Sequence, residues 1–572
     1  MATNVGLTIV EGVANGASGY KSPSKRNIGL LGQFIRGAAL KPTKITNLED
    51  FNVIFGGQSS SFYGPGIVRS IFKEAGEAKV TLYVARVVGT GAVVASKEVT
   101  LGSSGSPTMT VRAGYKGSDD PGTWANGIVV KLYSYGSRVK DMFTLTVRYR
   151  SQLETYSYGS LAEIQVAVNK VSKFITIEFS AEIQKLNYTA LVGTITCTTS
   201  SNTVTGVETL FATALNVGDV IFTNDGKQIG TVAAIANDTS LTLTSRAMVA
   251  VSEGVYKKRT DTTYTGTLEN GAEGTVNESD FYPVKGSTPL GLACFEGYDV
   301  QILATTEFHS LTMAKKLNDF LNEWQSPIGV INLPLNADEG TAELYALELQ
   351  TTQRSFLAGA YMGWCKVATE EGTEQLLPII GPVLGAAYLR TPYVQGDFIH
   401  IPPGGVDSLF TTVTEVIPAR LSQGVINKCV QQLSCNIIQY IENVGYYVGS
   451  SRSYSTNDLY CSIHIRLQTS YYVRALDALM RFMEQKPNTP ELKNQALKEL
   501  HRYFKNEYDN GALERSVPFD TSYQGICDQS NNPKGQDRKL INIDVLWIPT
   551  ECTESIRLSL QRNDGVLNVT EV

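Results

Sequence analysis

At 572 residues the chain is longer than a single hydrophobic core organises, so three or four domains are expected. A hydrophobic content of 42% beside 18% charged residues excludes a disordered or fibrous chain. The net charge of −6 excludes a global basic field directed at nucleic acid or anionic membrane.

The amino end opens on a short β-prone run, Val5 to Val10, in which Gly6, Leu7, Thr8, Ile9 and Val10 could pair as a strand. Glu11 to Asn27 is a tract of Gly, Ser, Lys and Pro without periodicity, a linker of roughly 20 residues that can reach on the order of 60 Å when extended. The amino terminus shows neither the basic nor the apolar region of a secretory leader. No apolar run approaches the ~20 residues that cross a bilayer.

Ile28 to Ile35 reads as a buried strand. Thr46 is placed to cap a short helix carrying Leu48, Phe51, Val53 and Ile54, ended by Gly56-Gly57. A second helix from Gly64 to Ala75 sets Ile67, Val68, Ile71 and Phe72 on one face, and the strand Val80 to Val87 follows, which together indicate an α/β layer. From Gly89 to Tyr282 short Thr/Val/Ser-rich runs and Gly turns dominate. Inside this region residues 191–257 read as a small all-β module, with Gly193–Cys197, Val217–Phe222, Gly230–Ala233 and Ser240–Thr244 as strands and Asn224-Asp225-Gly226 as a turn.

The α/β pattern resumes near Tyr298. Val300, Ile302 and Leu303 make a strand. A helix from Thr306 to Gln325 aligns Met313, Leu317, Phe320, Leu321 and Trp324, and Ile328 to Leu333 is the next strand. A helix over Ala342–Gln353, a strand over Phe356–Trp364 and an apolar segment over Leu376–Tyr388 continue the layer, and residues 28–88 are expected in the same sheet. Beyond Thr411 the reading is a strand at Ile463–Leu467 and helices at Ser470–Glu484 and Pro490–Tyr508. In the last of these, Leu492, Ala496, Leu500 and Phe504 form a buried stripe. Lys498, Arg502 and Lys505 line another face, which is either a solvated surface or a patch meeting an acidic protein.

The tail alternates apolar and polar positions from Ile541 to Ile548, again at Ile556, Leu558 and Leu560, and again from Val566 to Val572 after the turn Asp564-Gly565. The last run, with Val566, Leu567, Asn568, Val569 and Thr570, either closes a hairpin within its own domain or adds a strand to a neighbour's sheet edge. The fold class is therefore α/β and α+β multidomain. Its parts are an extended arm (1–26), a layered α/β core domain (27–88 with 283–410), an inserted β-rich outer domain (89–282), a C-terminal α+β domain (411–562) and a C-terminal arm strand (563–572).

Catalytic parts are scarce. The four histidines are His309, His400, His464 and His501; His309 and His501 are expected on helix surfaces and His464 in a strand. There is no Gly-x-Ser-x-Gly elbow or His-Glu-x-x-His pair. Gly226-Lys227 lacks a phosphate loop's upstream glycine and following Ser/Thr, and Gly16 to Ser22 breaks the Gly-Lys adjacency. The eight cysteines contain no Cys-x-x-Cys pair and read as small buried apolar residues in a reducing compartment. No catalytic, metal or cofactor residue is nominated.

Leu377-Pro378 leading through Gly385-Ala386-Ala387-Tyr388 to Gly396 and Pro402-Pro403-Gly404-Gly405 resembles a segment of the contractile-tail sheath proteins. Asn443 to Ser453, with glycines, paired tyrosines and Arg452, is similar to another. Ile28-Gly29-Leu30 with Gly56-Gly57, and Pro121 to Gly127, match as well, so the resemblance spans most of residues 27–127 and 282–562. The extra serine before Arg452 and the 191–257 module depart from the pattern.

The resemblance implies a bacteriophage-type tail subunit, made in the host cytoplasm, that stacks as homo-oligomeric rings around an inner tail tube protein and contacts baseplate and tail terminator proteins. It further implies that the terminal arms add strands to neighbouring subunits, that inner helices touch the tube, and that no cofactor, direct nucleic-acid contact or membrane insertion is involved. Two other readings stay open: an α/β hydrolase, and a carbohydrate- or receptor-binding surface protein using the 191–257 module. Hollow cylinders in electron micrographs separate the first reading from these.

Overall fold

The computed structural model describes residues 23–101, 108–136, 141–180, 188–259, 262–370, 372–533 and 539–553. Packing divides them into two units: the described residues of Met1–Phe34, Leu40–Val87 and Asn277–Val572 form the first, and those of Ile35–Ala39 and Val88–Val276 the second.

The first unit is built on a five-stranded sheet. Strand β1 (Ile28–Gly32) lies at its centre, between β3 (Leu82–Arg86) and β4 (Ile302–Thr305), with β2 (Thr43–Ile45) and β5 (Ile328–Val330) at the edges. Ile28 pairs in parallel with both Leu82 and Ile302, so segments far apart in sequence meet on one strand. All five residues of β1 are buried, as befits a parallel strand covered on both faces. Gly32 is required by close approach: a Cβ there would fall 2.1 Å from the Thr306 hydroxyl.

Helix α1 (Leu48–Phe55) starts one residue later than expected, because Asn47 rather than Thr46 accepts the Asp50 N–H, at 2.7 Å. Gly56, at φ 94°, ends it in the left-handed region. Helix α2 (Tyr63–Ala75) has no cap from its preceding residue, Phe62. Glu307 supplies it from across the fold, accepting from the Gly64 N–H at 3.1 Å and the Gln33 N–H at 3.0 Å. This diverts Thr306–His309 from the expected helix, and α3 (Leu311–Trp324) begins under a Ser310 cap.

Helix α4 (Glu339–Leu349) follows. The single strand expected at Phe356–Trp364 is then broken by Gly363, at φ 139°. On one side β6 (Tyr361–Met362) pairs in a separate sheet; on the other β7 (Trp364–Ala368) joins β8 (Glu374–Pro378) and β9 (Val413–Ile417). The apolar run after β8 becomes helical with a π-turn at Leu384–Arg390, pressed on α2 where a Cβ at Gly385 would lie 2.6 Å from the Ile71 carbonyl. Helix α5 (Gln423–Gln431) leads to β10 (Asn436–Ile441) and β11 (Gly445–Val448), which pair with each other and, through β10, with β6.

Ile463–Leu467 is not a strand but the first turns of α6 (Ile463–Met480). Its five residues are all buried, His464 and Arg466 included, so the apolar–polar alternation reports no exposed face. Helix α7 (Pro490–Asp509) carries the expected buried stripe of Leu492, Ala496, Leu500 and Phe504. One hydrophobic cluster takes in Ile28, Val416, Val448, Ile463 and Phe504, so packing is continuous across Thr411.

The second unit is β-rich. Strands Thr262–Thr267, Val129–Gly136, Asp141–Tyr149 and Gln152–Tyr158 form one sheet, and Ile175–Phe179, Thr108–Tyr115 and Ser96–Thr100 are consecutive in another. The 191–257 region closes as a six-stranded barrel whose first and last strands, Tyr188–Cys197 and Val251–Arg259, pair with each other. Its interior holds Ile195, Phe211, Ile221, Val232, Leu241 and Tyr256. Arg36 is buried in this unit against the rings of Trp124, Phe174 and Tyr149 at 5.2, 5.4 and 5.9 Å.

Candidate assembly interface

The residues nominated for inter-subunit strand pairing, Gly6 to Val10 and Val566 to Thr570, lie outside the described residues, as does the alternating run Ile556–Leu560. What is described is where the two tails leave the body. Arg474 donates to the Ser24 carbonyl at 3.2 Å, while Lys25 and Arg26 each pair with Asp397 at 3.1 Å. Arg26 is buried, and burial lowers its pKa to about 10 against the opposing pull of Asp397. The amino-terminal tract is therefore clamped at its root by charge-assisted bonds.

At the other end, β12 (Tyr523–Ile526) and β13 (Asp544–Trp547) make a two-stranded antiparallel sheet, Tyr523 opposite Trp547 and Ile526 opposite Asp544. Its inner face is held by rings: Tyr523 stacks on Phe504 at 4.6 Å and Phe519 at 5.4 Å, and Trp547 meets Tyr472 at 5.1 Å. Its outer side leaves Leu546 54% exposed, with Ile548 and Leu540 also exposed beside it. A two-stranded sheet is marginal alone, and among the described residues each of these strands pairs only with the other. Open backbone edges beside exposed apolar side chains are the features of a strand acceptor. The sequence reading found β13 but missed β12; the only signal was the short alternation Tyr523-Gln524-Gly525-Ile526.

The three nominated cations do share the solvent side of α7, which Thr489 caps by accepting the Leu492 N–H at 3.3 Å. Lys498 is exposed; Arg502 is paired with Glu499; Lys505 reaches Asp509 at 2.7 Å and lies over the rings of Tyr508 and Phe519 at 5.0 and 5.5 Å. Two of the three charges are thus already matched by carboxylates on their own helix, so the patch presents alternating rather than uniformly positive potential.

The histidines sit in four settings. His309 precedes α3 with its ring edge-on to Trp364 at 5.5 Å, and burial lowers its pKa to about 4; the helix-surface position expected for it is not found, because Ser310 begins the helix after it. His464 is in α6, its Nε2 3.3 Å from the Thr550 carbonyl oxygen. His400 stacks on Phe398, and its pKa is lowered to about 4, by burial first and then by His464, Arg26 and Arg515. His501 is exposed on α7, edge-on to Phe519. Among the described residues no three His, Cys, Asp or Glu side chains gather as a metal site. None of the eight cysteines is in a disulfide; seven are buried and Cys552 partly so.

No family model matches the sequence, and no curated protein matches it. Among solved structures, the sheath tail protein of Listeria innocua superposes with a TM-score of 0.53 at 12% identity, covering 92% of this chain and 96% of that one. At that identity the likeness is one of fold: the mixed α/β arrangement with several sheets is similar to that of a sheath tail protein. Other matches are the sheath tail protein of Desulfitobacterium hafniense, at TM-score 0.46 and 12% identity over 89% of this chain and 92% of that one, and the contracted sheath of an extracellular contractile injection system, at 0.38 and 16% over 46% and 71%.

Proposed function

We propose that the chain is the structural subunit of a contractile tail sheath, polymerising as stacked rings around an inner tube and contracting to drive the tube through a target envelope. The observation that carries this reading is the end-to-end likeness of fold to a sheath tail protein. The β12–β13 sheet, whose strands pair only with each other among the described residues, supports it, because an unpaired edge would offer a neighbour's Gly6–Val10 or Val566–Thr570 a backbone template. In this reading the partners are further copies of the chain, the inner tube, and baseplate and terminator proteins at the two ends, and the finished particle is a virion tail or related injection device. Contraction is a rigid-body change of lattice in which paired arm strands keep neighbours connected.

Purified protein is expected to form hollow cylinders in negative-stain electron microscopy, and deletion of residues 1–23 or 565–572 to leave a folded subunit that forms none. Normal cylinders from either deletion would show that arm to be private to its own subunit. Reversing Lys498, Arg502 and Lys505 to Glu is expected to cost the subunit under about 1 kcal/mol, since exposed helix pairs contribute little. Assembly around tube should nevertheless fall while tube-free polymer is spared; equal loss of both would remove α7 from the tube-facing surface.

A further inference from the structure

A cleft of about 510 Å³ opens where the described chain ends. Ile401, Pro402 and Val430 form its apolar wall, His400 and His464 a polar one, and Thr550 to Thr553 run along it. Ile401, Pro402 and Val430 are only half-buried on a cleft from which the polypeptide itself continues, and nothing in the described residues fills it.

We infer that this cleft seats the root of the same chain's C-terminal tail, with Ile556 and Leu558 as its apolar anchors. The reach is short: Ile556 lies three residue steps beyond Thr553, at most about 10 Å of extended chain. The pattern fits, since in an extended run Ile556, Leu558 and Leu560 fall on one side and Arg557, Ser559 and Gln561 on the other. Tethering makes the event intramolecular, with a high effective concentration and a small closure cost. This deepens the arm reading above by fixing where the arm is rooted, but it concerns the single subunit and is measured without assembly.

Cys552 lines the same cleft and is the one cysteine of the eight that is not fully buried, which makes its thiol a reporter. In dilute full-length subunit, pairing Ile556→Asp with Leu558→Asp is expected to speed its modification by a thiol reagent roughly tenfold, as loss of a local closed state does. Val566→Asp with Val569→Asp should leave the rate unchanged, and Cys552→Ser supplies the blank. Reaction of one thiol per chain shows that the fold is intact; if more react, the milder pair Ile556→Ala and Leu558→Ala reports the same change in smaller measure. Equal rates in the native chain and the anchor variants overturn the proposal. Protection that grows with protein concentration also overturns it, by assigning the cleft to a second copy's tail. Failure of cylinder assembly with Cys552 still protected would count against the sheath reading alone.

Discussion

Glu74→Ala is expected to lower the unfolding free energy of the subunit by about 3–5 kcal/mol, the cost of removing one partner from a buried charged cluster. Glu74 is 0% exposed and sits in the last turn of α2, where the helix dipole disfavours an anion. Donors compensate. The Thr411 N–H and hydroxyl reach it at 2.9 and 3.0 Å, the Thr412 N–H and hydroxyl both at 2.7 Å, and Arg390 at 3.4 Å while also donating to the Glu74 carbonyl at 3.0 Å. One buried carboxylate therefore joins α2, the π-turn segment and the approach to β9, and its loss deprives five donor groups of their common acceptor at once. Glu74→Gln, which keeps an acceptor but not the charge, should cost less than half as much. Urea unfolding followed by circular dichroism measures both; a shift below about 1 kcal/mol for the alanine variant would show the cluster to be replaceable by water.

The second large effect depends on pH. Burial raises the Glu307 carboxyl to about 7, although donors at Gln33 and Gly64 favour its charged form, and burial lowers His309 to about 4. For Glu307 the folded state holds the proton more tightly than the unfolded one, so its contribution to stability falls as pH rises from about 4.5 to 7. For His309 the unfolded state holds the proton more tightly, so its contribution rises between about pH 4 and 6.5, and His400 adds a slope of the same sign. In the native chain Glu307 and His309 largely cancel. The stability of Glu307→Gln relative to native should therefore climb by up to about 3 kcal/mol between pH 4.5 and 7, and that of His309→Asn should fall by a similar amount between pH 4 and 6.5. Differences that stay flat across those windows would refute the assignment.

The sequence was most legible where periodicity and burial coincide. In α7 the four-residue spacing of Leu492, Ala496, Leu500 and Phe504 gave the helix and its buried side together, because the other side is in water. In α6 that contrast is absent. With Ile463 to Leu467 all buried, a two-residue alternation had no second face to describe, and tertiary enclosure overrode it. The placing of α3 failed for a different reason: Thr306–His309 serve α2 through Glu307, a bond spanning 243 residues that no local window contains. Membership of β1, β3, β4 and β5 in one sheet followed from their apolar runs, whereas the pairing of Ile28 with both Leu82 and Ile302 needed coordinates. At the candidate interface, the cations of α7 were placed on a common side, but their intrahelical partners Glu499 and Asp509 and the short strand β12 emerged only with the structure.

The barrel's terminal strands, Tyr188–Cys197 and Val251–Arg259, are hydrogen-bonded to each other along their length. Its core draws on residues within those limits, Ile195 to Tyr256. Such a module hangs from a double stem and is in effect a graft: pruning it back to a tight hairpin, or splicing a foreign domain in its stead, leaves the pairing rules of the strands that carry it unaltered.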